Sequence, residues 1–341
     1  MKELHTIDIH HHVIPESVGA IYKRLGIETL GGVVVPTFDV KRTLSFMDGN
    51  GTQKAYVSLA DVGPAFAKQK DAVEIAQTAN NFYAQLRDNY PERFGAFATL
   101  PLPYLEASQS ELIRALDELN LDGIMLLSNS NGVYLGDPTL DPIMAELNKR
   151  KAVVFVHPAQ LHEARDDGPA FRGFLLDFVF DTTRAITNIL FNETARKFPD
   201  IKFIFAHMGG TAPYLVERLA LGFSNNKYAS RNMSPERVAR LQKVSGTIMK
   251  VIPPEWVTEK VTHVRQTLAS FYYDTAVSSE APTFNAVRTL AGVEHIVYGS
   301  DFPAAPEAID YLTSRYLHKN DLSEEELKLI ECENALGLFL S

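Results

Sequence analysis

A single cysteine, Cys332, stands among 341 residues, so the chain can form no intramolecular disulfide. This suits a reducing compartment, and Cys332, inside an apolar helical pattern near the C-terminus, is expected to be a buried filler. Dense runs of Lys or Arg are missing too, and the net charge is −9. Without a basic stripe there is no electrostatic footprint for phosphate backbones, and nucleic acid is not an expected partner. No stretch approaches the 18 apolar residues needed to cross a bilayer. The first eight residues, Met1 to Asp8, are too polar for the centre of a signal peptide, so a soluble, cytoplasmic protein is expected. No Gly-x-Gly-x-x-Gly fingerprint follows a strand, which argues against a dinucleotide cofactor. No Gly- or Ser-rich linker interrupts the chain, and residues 1–341 are read as one domain.

What is present is a globular composition, 45% hydrophobic and 22% charged. Eight short apolar, β-branched runs recur, at 6–12, 54–59, 94–100, 123–127, 153–158, 202–207, 271–276 and 295–301. Segments of helical period separate them. Residues 71–89, for example, place Val73, Ala76, Ala79, Phe82, Tyr83 and Leu86 at three- and four-residue steps. Further helical segments cover 107–119 and 140–149. Parallel strands need such crossovers, and eight of them without a compositional break predict a (β/α)8 barrel. Two insertions, 13–42 and 161–181, follow strands one and five. They lie on the face where barrels of this class build their sites, as candidate lids or substrate walls. The stretch 220–264 reads as helical excursions. Ser323 and Glu326 form a capping-box signature that opens a terminal helix.

Chemistry enters at the strand ends. Alternation in the first strand projects Asp8, His10 and His12 to one face and His11 to the other. Two imidazoles separated by one strand residue can converge on one ion. His157, His207 and Asp301 end strands five, six and eight, so five polar residues share one rim. Buried polar groups without partners cost on the order of 1–3 kcal/mol each, which a bound metal would relieve. His11 is expected to be hydrogen-bonded within the wall.

These residues lie in motifs that resemble the amidohydrolase superfamily, in particular the branch containing aminocarboxymuconate-semialdehyde decarboxylase and the metal-dependent aromatic-acid decarboxylases. The motifs are Ile7-Asp8-Ile9-His10-His11-His12, Phe155-Val156-His157-Pro158, Phe205-Ala206-His207-Met208-Gly209-Gly210, Tyr273-Asp274-Thr275-Ala276 and Gly299-Ser300-Asp301-Phe302-Pro303. A finer likeness, to 6-methylsalicylate decarboxylase-like proteins, rests on Tyr134-Leu135-Gly136-Asp137-Pro138 and Phe180-Asp181-Thr182-Thr183-Arg184-Ala185. The resemblance implies that His10, His12, His157 and Asp301 ligate a metal and that His207 transfers a proton. Binuclear members bridge two ions through a Lys or Glu from strand four. Residues 123–128 offer neither, so one divalent ion is expected, and three imidazoles with a carboxylate suit Zn or Mn.

The implied reaction is non-oxidative decarboxylation of an aromatic, salicylate-like or enoic carboxylic acid. The proton would come from metal-bound water or Asp301, with His207 as shuttle. Phe174, seven residues before Asp181, stands where the muconate-semialdehyde enzyme has a Trp, and is a candidate wall for a planar substrate. Arg172 and Arg184 are candidates for holding substrate charge, each equally an ordinary ion-pair partner. The muconate-semialdehyde enzyme has arginines just before its Met-Asp pair, whereas Arg42 is displaced from Met47-Asp48, which puts recognition of a second carboxylate in doubt. The same ligands would also support hydrolysis or hydration of a lactone, amide or unsaturated acid. A non-catalytic metal-binding barrel is the third reading. Relatives commonly dimerise, which admits a homodimer.

Overall fold

The computed structural model describes residues 5–30, 33–34, 37–59, 63–159, 173–223, 254–305 and 307–339. Eight parallel strands follow one another around a barrel in chain order: β1 (Thr6–His12), β2 (Thr52–Ser58), β3 (Phe94–Thr99), β4 (Gly123–Leu127), β5 (Val153–His157), β6 (Lys202–Phe205), β7 (Tyr272–Asp274) and β8 (Ile296–Val297). Every expected strand forms. β1, β3, β4 and β5 are buried at each position. That is what continuous apolar, β-branched runs covered on both faces require. Closure is made by backbone bonds: Ile9 N donates to Tyr298 O (3.0 Å), Asp301 N to His10 O (2.8 Å) and His12 N to Phe302 O (2.7 Å).

The last strand is shorter than the expected 295–301. Asp301 adopts φ +62°, a left-handed conformation that ends extended geometry while the chain still bonds to β1. β1 itself carries a register shift between Asp8 and His11, whose consequence appears at the site.

Two helices, α1 (Glu16–Arg24) and α2 (Val40–Asn50), lie in the insertion between β1 and β2. α3 (Gln69–Asn89) covers the crossover to β3. α4 (Leu105–Ile113) runs on as a π-turn over Arg114–Glu118 before β4, and α5 (Asp141–Lys149) precedes β5. α6 (Asp177–Phe191) closes the second insertion, of which residues 161–172, Arg172 included, lie outside the described residues. A helix at Pro254–Ala269 accounts for the end of the 220–264 excursion. The terminal capping box is formed: Glu326 N donates to Ser323 Oγ at 3.1 Å and Ser323 N to Glu326 Oε2 at 2.9 Å. Cys332 packs at the edge of the core, partly covered rather than fully buried. Among the described residues no helix is long and apolar enough to cross a membrane.

Inside the barrel, Phe97 stacks on Phe155 at 5.5 Å and Phe155 meets His10 edge-on at 5.0 Å. This apolar plug is the floor on which the polar rim sits.

Candidate metal centre

Nε2 of His10 and Nε2 of His12 stand 3.0 Å apart, and Asp301 Oδ1 is 3.2 Å from each. His157 joins them, with ligand atoms of all four residues within 4.8 Å of one another. His10 is fully buried and His157 nearly so, while the Asp301 side chain keeps 13% of its surface in contact with solvent.

The far nitrogens of the three rings are held. His10 Nδ1 faces Asp274 Oδ2 at 2.8 Å, His157 Nδ1 donates to Pro158 O at 2.8 Å, and His12 Nδ1 meets Ser58 Oγ at 3.4 Å. A carbonyl or carboxylate only accepts, so Nδ1 of His10 and His157 carry the hydrogen and a neutral ring turns a lone pair inward at Nε2. Lone pairs facing each other beside a carboxylate repel unless a cation lies between them, a proton in the metal-free cluster or a metal ion once one binds. Zn–N bonds of about 2.0–2.1 Å put neighbouring ligand atoms about 3.0–3.4 Å apart. The observed separations of His10, His12 and Asp301 match that spacing, so the residues present fit a divalent ion.

Burial opposes charge on His10, but Asp274 and Asp301 outweigh it and raise its pKa to about 10. Burial, reinforced by the neighbouring imidazoles, pushes His157 well below the ordinary histidine range, and burial also lowers His12. For Asp301, burial alone would favour the acid. His10 and the hydrogen bonds from His10 and His12 overcome it and hold the carboxyl well below its usual range. The cluster therefore offers two neutral imidazoles, one carboxylate and one imidazole that must release a proton to ligate.

His207 lies beside this cluster, its ring centroid 5.0 Å from that of His10 and 5.8 Å from that of His157. Nδ1 donates to Ala276 O at 2.9 Å, which leaves Nε2 as its working atom. Backbone at His207 and Met208 is left-handed, φ +54° at both, a conformation non-glycine residues adopt only when the surroundings enforce it. The adjoining glycines explain how. A Cβ on Gly210 would fall 2.1 Å from Val179 O of α6, and one on Gly209 would meet the Tyr273 ring at 2.6 Å. The missing side chains admit the backbone of α6 and a core tyrosine.

Asp8 does not join the cluster, although strand alternation places it on the face of His10 and His12. The register shift turns its carboxylate onto His11 Nδ1 (2.9 Å), Ser300 Oγ (2.6 Å) and the N–H groups of His10 (3.1 Å) and Ser300 (3.0 Å). Asp8 thus clasps β1 to the segment carrying Asp301, and His11 is hydrogen-bonded within the wall, as expected.

Phe174 sits in a short turn before α6 and is 38% exposed. Among the described residues of this region, the aromatic ring that meets a cluster residue is Phe178, 6.0 Å from His157 and edge-on. One helical turn after Phe174, it belongs to the first turn of α6. Arg184 is exposed on α6 and lies against Tyr134. Buried Asp181 accepts from Tyr134 (2.5 Å), from Asn129 (2.9 Å) and from Ser128, whose Oγ also receives Ala159 N at 2.9 Å. The Tyr134 and Asp181 motifs are thus one knot, tying α6 to the loop that follows His157. A small cavity beside His12 is lined by Phe38, Asp39, Arg42, Thr43 and Phe302 among others. Arg42 reaches that cavity despite its displacement in sequence, but its guanidinium is paired with Glu307 at 3.0 Å.

Sequence reasoning missed Asp274. The signal was its place at the end of β7, within the quoted Tyr273-Asp274 motif. What could not be read is that its carboxylate crosses to His10.

A closed parallel barrel with imidazoles and a carboxylate converging at the C-terminal ends of its strands has the architecture of a metal-dependent barrel enzyme. Residues 7–340 match the amidohydrolase family, and the chain belongs to it. It is 31% identical over 348 residues to the decarboxylase yanB of Aspergillus niger, covering 98% of this chain and 87% of that protein. It is 30% identical over 343 residues to the 6-methylsalicylic acid decarboxylase acuB of Aspergillus aculeatus, covering 98% and 95%. Among solved structures, one described as amidohydrolase II superposes with a TM-score of 0.84 at 25% identity, covering 98% of this chain and all of the other.

Proposed function

We propose that this protein is a mononuclear, metal-dependent carboxy-lyase that removes CO2 from an aromatic, salicylate-like acid. The observation that carries it is the convergence of His10, His12 and Asp301 within 3.2 Å, with His207 alongside, in a chain whose near-full-length relatives are named as decarboxylases. His10, His12, His157 and Asp301 would hold the ion. Zinc and manganese both accept this donor set, and metal analysis of the purified protein chooses between them. A divalent ion bound there supplies positive charge and a template for the substrate carboxylate.

His207 then does the proton work. With Nδ1 committed to Ala276, a proton on Nε2 is delivered to the ring carbon bearing the carboxylate. The C–C bond breaks, its electron pair restores the ring, CO2 departs, and His207 regains its proton from solvent. Asp301, held as a carboxylate, accepts and orients rather than donates. The wall of the ring pocket is assigned to the start of α6, with Phe178 inside and Phe174 at its exposed edge. Arg184, engaged at Tyr134, is reserved for an outer substrate charge. The whole chain is read as one barrel domain.

A panel of hydroxybenzoates and cyclic esters, assayed for CO2 release against ring opening or water addition, tests the reaction. Stoichiometric CO2 with the decarboxylated phenol is expected. Ring opening or hydration without CO2 would move the protein to the hydrolase or hydratase reading.

A further inference from the structure

Asp274 has no part in the ligand set above, yet its buried carboxylate touches both working halves of the site. Oδ2 faces His10 Nδ1 at 2.8 Å, and Oδ1 accepts the backbone N–H of His207 at 2.9 Å and of Ala276 at 3.0 Å. Ala276 O in turn receives His207 Nδ1–H. One carboxylate therefore closes a ring of hydrogen bonds through Ala276 and the proton-carrying His207, and holds the metal-facing His10 by its other oxygen.

We propose that Asp274 is the positioning residue that fixes the Nδ1–H tautomer of His10 for metal binding and anchors the strained backbone turn that aims His207. The two oxygens divide the labour. Oδ2 demands a hydrogen on His10 Nδ1, which reserves Nε2 for a metal, and Oδ1 pins the left-handed turn by the N–H of His207 while holding the N–H of Ala276, whose carbonyl takes the His207 ring. An apolar residue at 274 would leave those two N–H groups and His10 Nδ1 buried without partners. The inference rests on the proposed reading of His10 as a ligand.

Because the two oxygens act separately, substitutions separate them. In Asp274→Asn the amide oxygen can keep both backbone N–H groups, while its NH2 faces His10 Nδ1 and demands a lone pair there. The hydrogen moves to Nε2 and blocks the metal. Asp274→Ala removes both functions. The test measures zinc and manganese dissociation constants by competition with a chromogenic chelator. Urea unfolding of the metal-free proteins, and kcat and KM at saturating metal, are measured alongside.

For Asp274→Asn we expect metal affinity to fall about 10–100-fold, the usual cost of losing such an outer partner, with metal-free stability near the parent and kcat largely restored at saturating metal. For Asp274→Ala kcat should stay low even when metal saturates. Parent-like affinity in Asp274→Asn overturns the proposal. His10→Ala separates this failure from that of the underlying reading. If it keeps the metal, His10 is not a ligand; if it loses the metal while Asp274→Asn does not, only the role of Asp274 falls. Should Asp274→Asn not fold, 15N spectra of the zinc-loaded parent decide, with the His10 resonance assigned by its loss in His10→Asn. A proton on Nδ1 supports the proposal, and a proton on Nε2 overturns it.

Discussion

At the ends of adjacent strands, Leu127 of β4 and His157 of β5 are in register, yet one presents a methyl-bearing side chain and the other an imidazole. The contrast extends around the rim. β2, β3 and β4 end in Ser58, Thr99 and Leu127, all buried and none an acid or imidazole. β1, β5, β6, β7 and the segment after β8 contribute His10, His12, His157, His207, Asp274 and Asp301, every one a titratable group. Among the described residues, the titratable strand-end groups lie on one side of the mouth, where imidazoles and carboxylates compensate one another, and the strand ends of the other side offer none to a second ion. An aromatic acid suits such a mouth: its carboxylate belongs over the charged side and its ring over the uncharged one.

The largest expected effect separates ligand from catalyst within the charged half. His157→Ala should reduce metal content from about one ion per chain to near none and abolish turnover, since a donor with an obligatory inward lone pair is lost. His207→Ala should keep the metal while lowering turnover by roughly 10²–10⁴, the usual worth of a positioned acid or base. Metal stoichiometry and kcat, measured on both folded variants, check this together. If His207→Ala emerges metal-free, the proposed division between the two histidines is wrong.

Much of this half was legible in the sequence because strand ends and periodicity are local signals. The eight runs, the shared rim and the inward pairing of His10 with His12 all follow from alternation. Asp8 shows where alternation stops. A register shift inside β1 turns its carboxylate to His11 and Ser300, and no local pattern announces such a shift. Asp274 shows the second limit, because its partner His10 is 264 residues away and only barrel closure brings them together. Gly209 and Gly210 meet the same limit, because α6 and Tyr273, which close on them, are brought there only by the fold.

A smaller effect concerns the protons of the cluster. His10 is held protonated up to about pH 10, whereas His12 and His157 are lowered and Asp301 is already a carboxylate. Below that pH the metal must displace one proton from the cluster, which His10 holds in the metal-free protein. Affinity should therefore rise about tenfold per pH unit through the neutral range, where one proton is released per ion bound. Calorimetric titration of metal-free protein in buffers of different ionisation enthalpy counts that proton. A slope near zero would mean His10 is neutral before binding, and a slope near two would add a second protonated ligand.

The smallest effect tests where the apolar wall meets the charged half. Phe174, the substrate wall expected from the sequence, is 38% exposed, whereas Phe178 stands 6.0 Å from the His157 ring. A ring already packed edge-on against His157 can contribute to a planar substrate without first being ordered, and aromatic pairs of this kind are worth about 0.5–1.5 kcal/mol beyond area burial. Phe178→Ala should therefore raise KM by a few-fold to about tenfold. Metal content should be unchanged, and Phe174→Ala should raise KM less. Phe178→Leu, which restores apolar volume without the ring, should recover part of the loss. Steady-state kinetics of the three variants on one aromatic acid decide the order. A larger KM change for Phe174→Ala than for Phe178→Ala would place the substrate ring outward, over the exposed turn, and not beside His157.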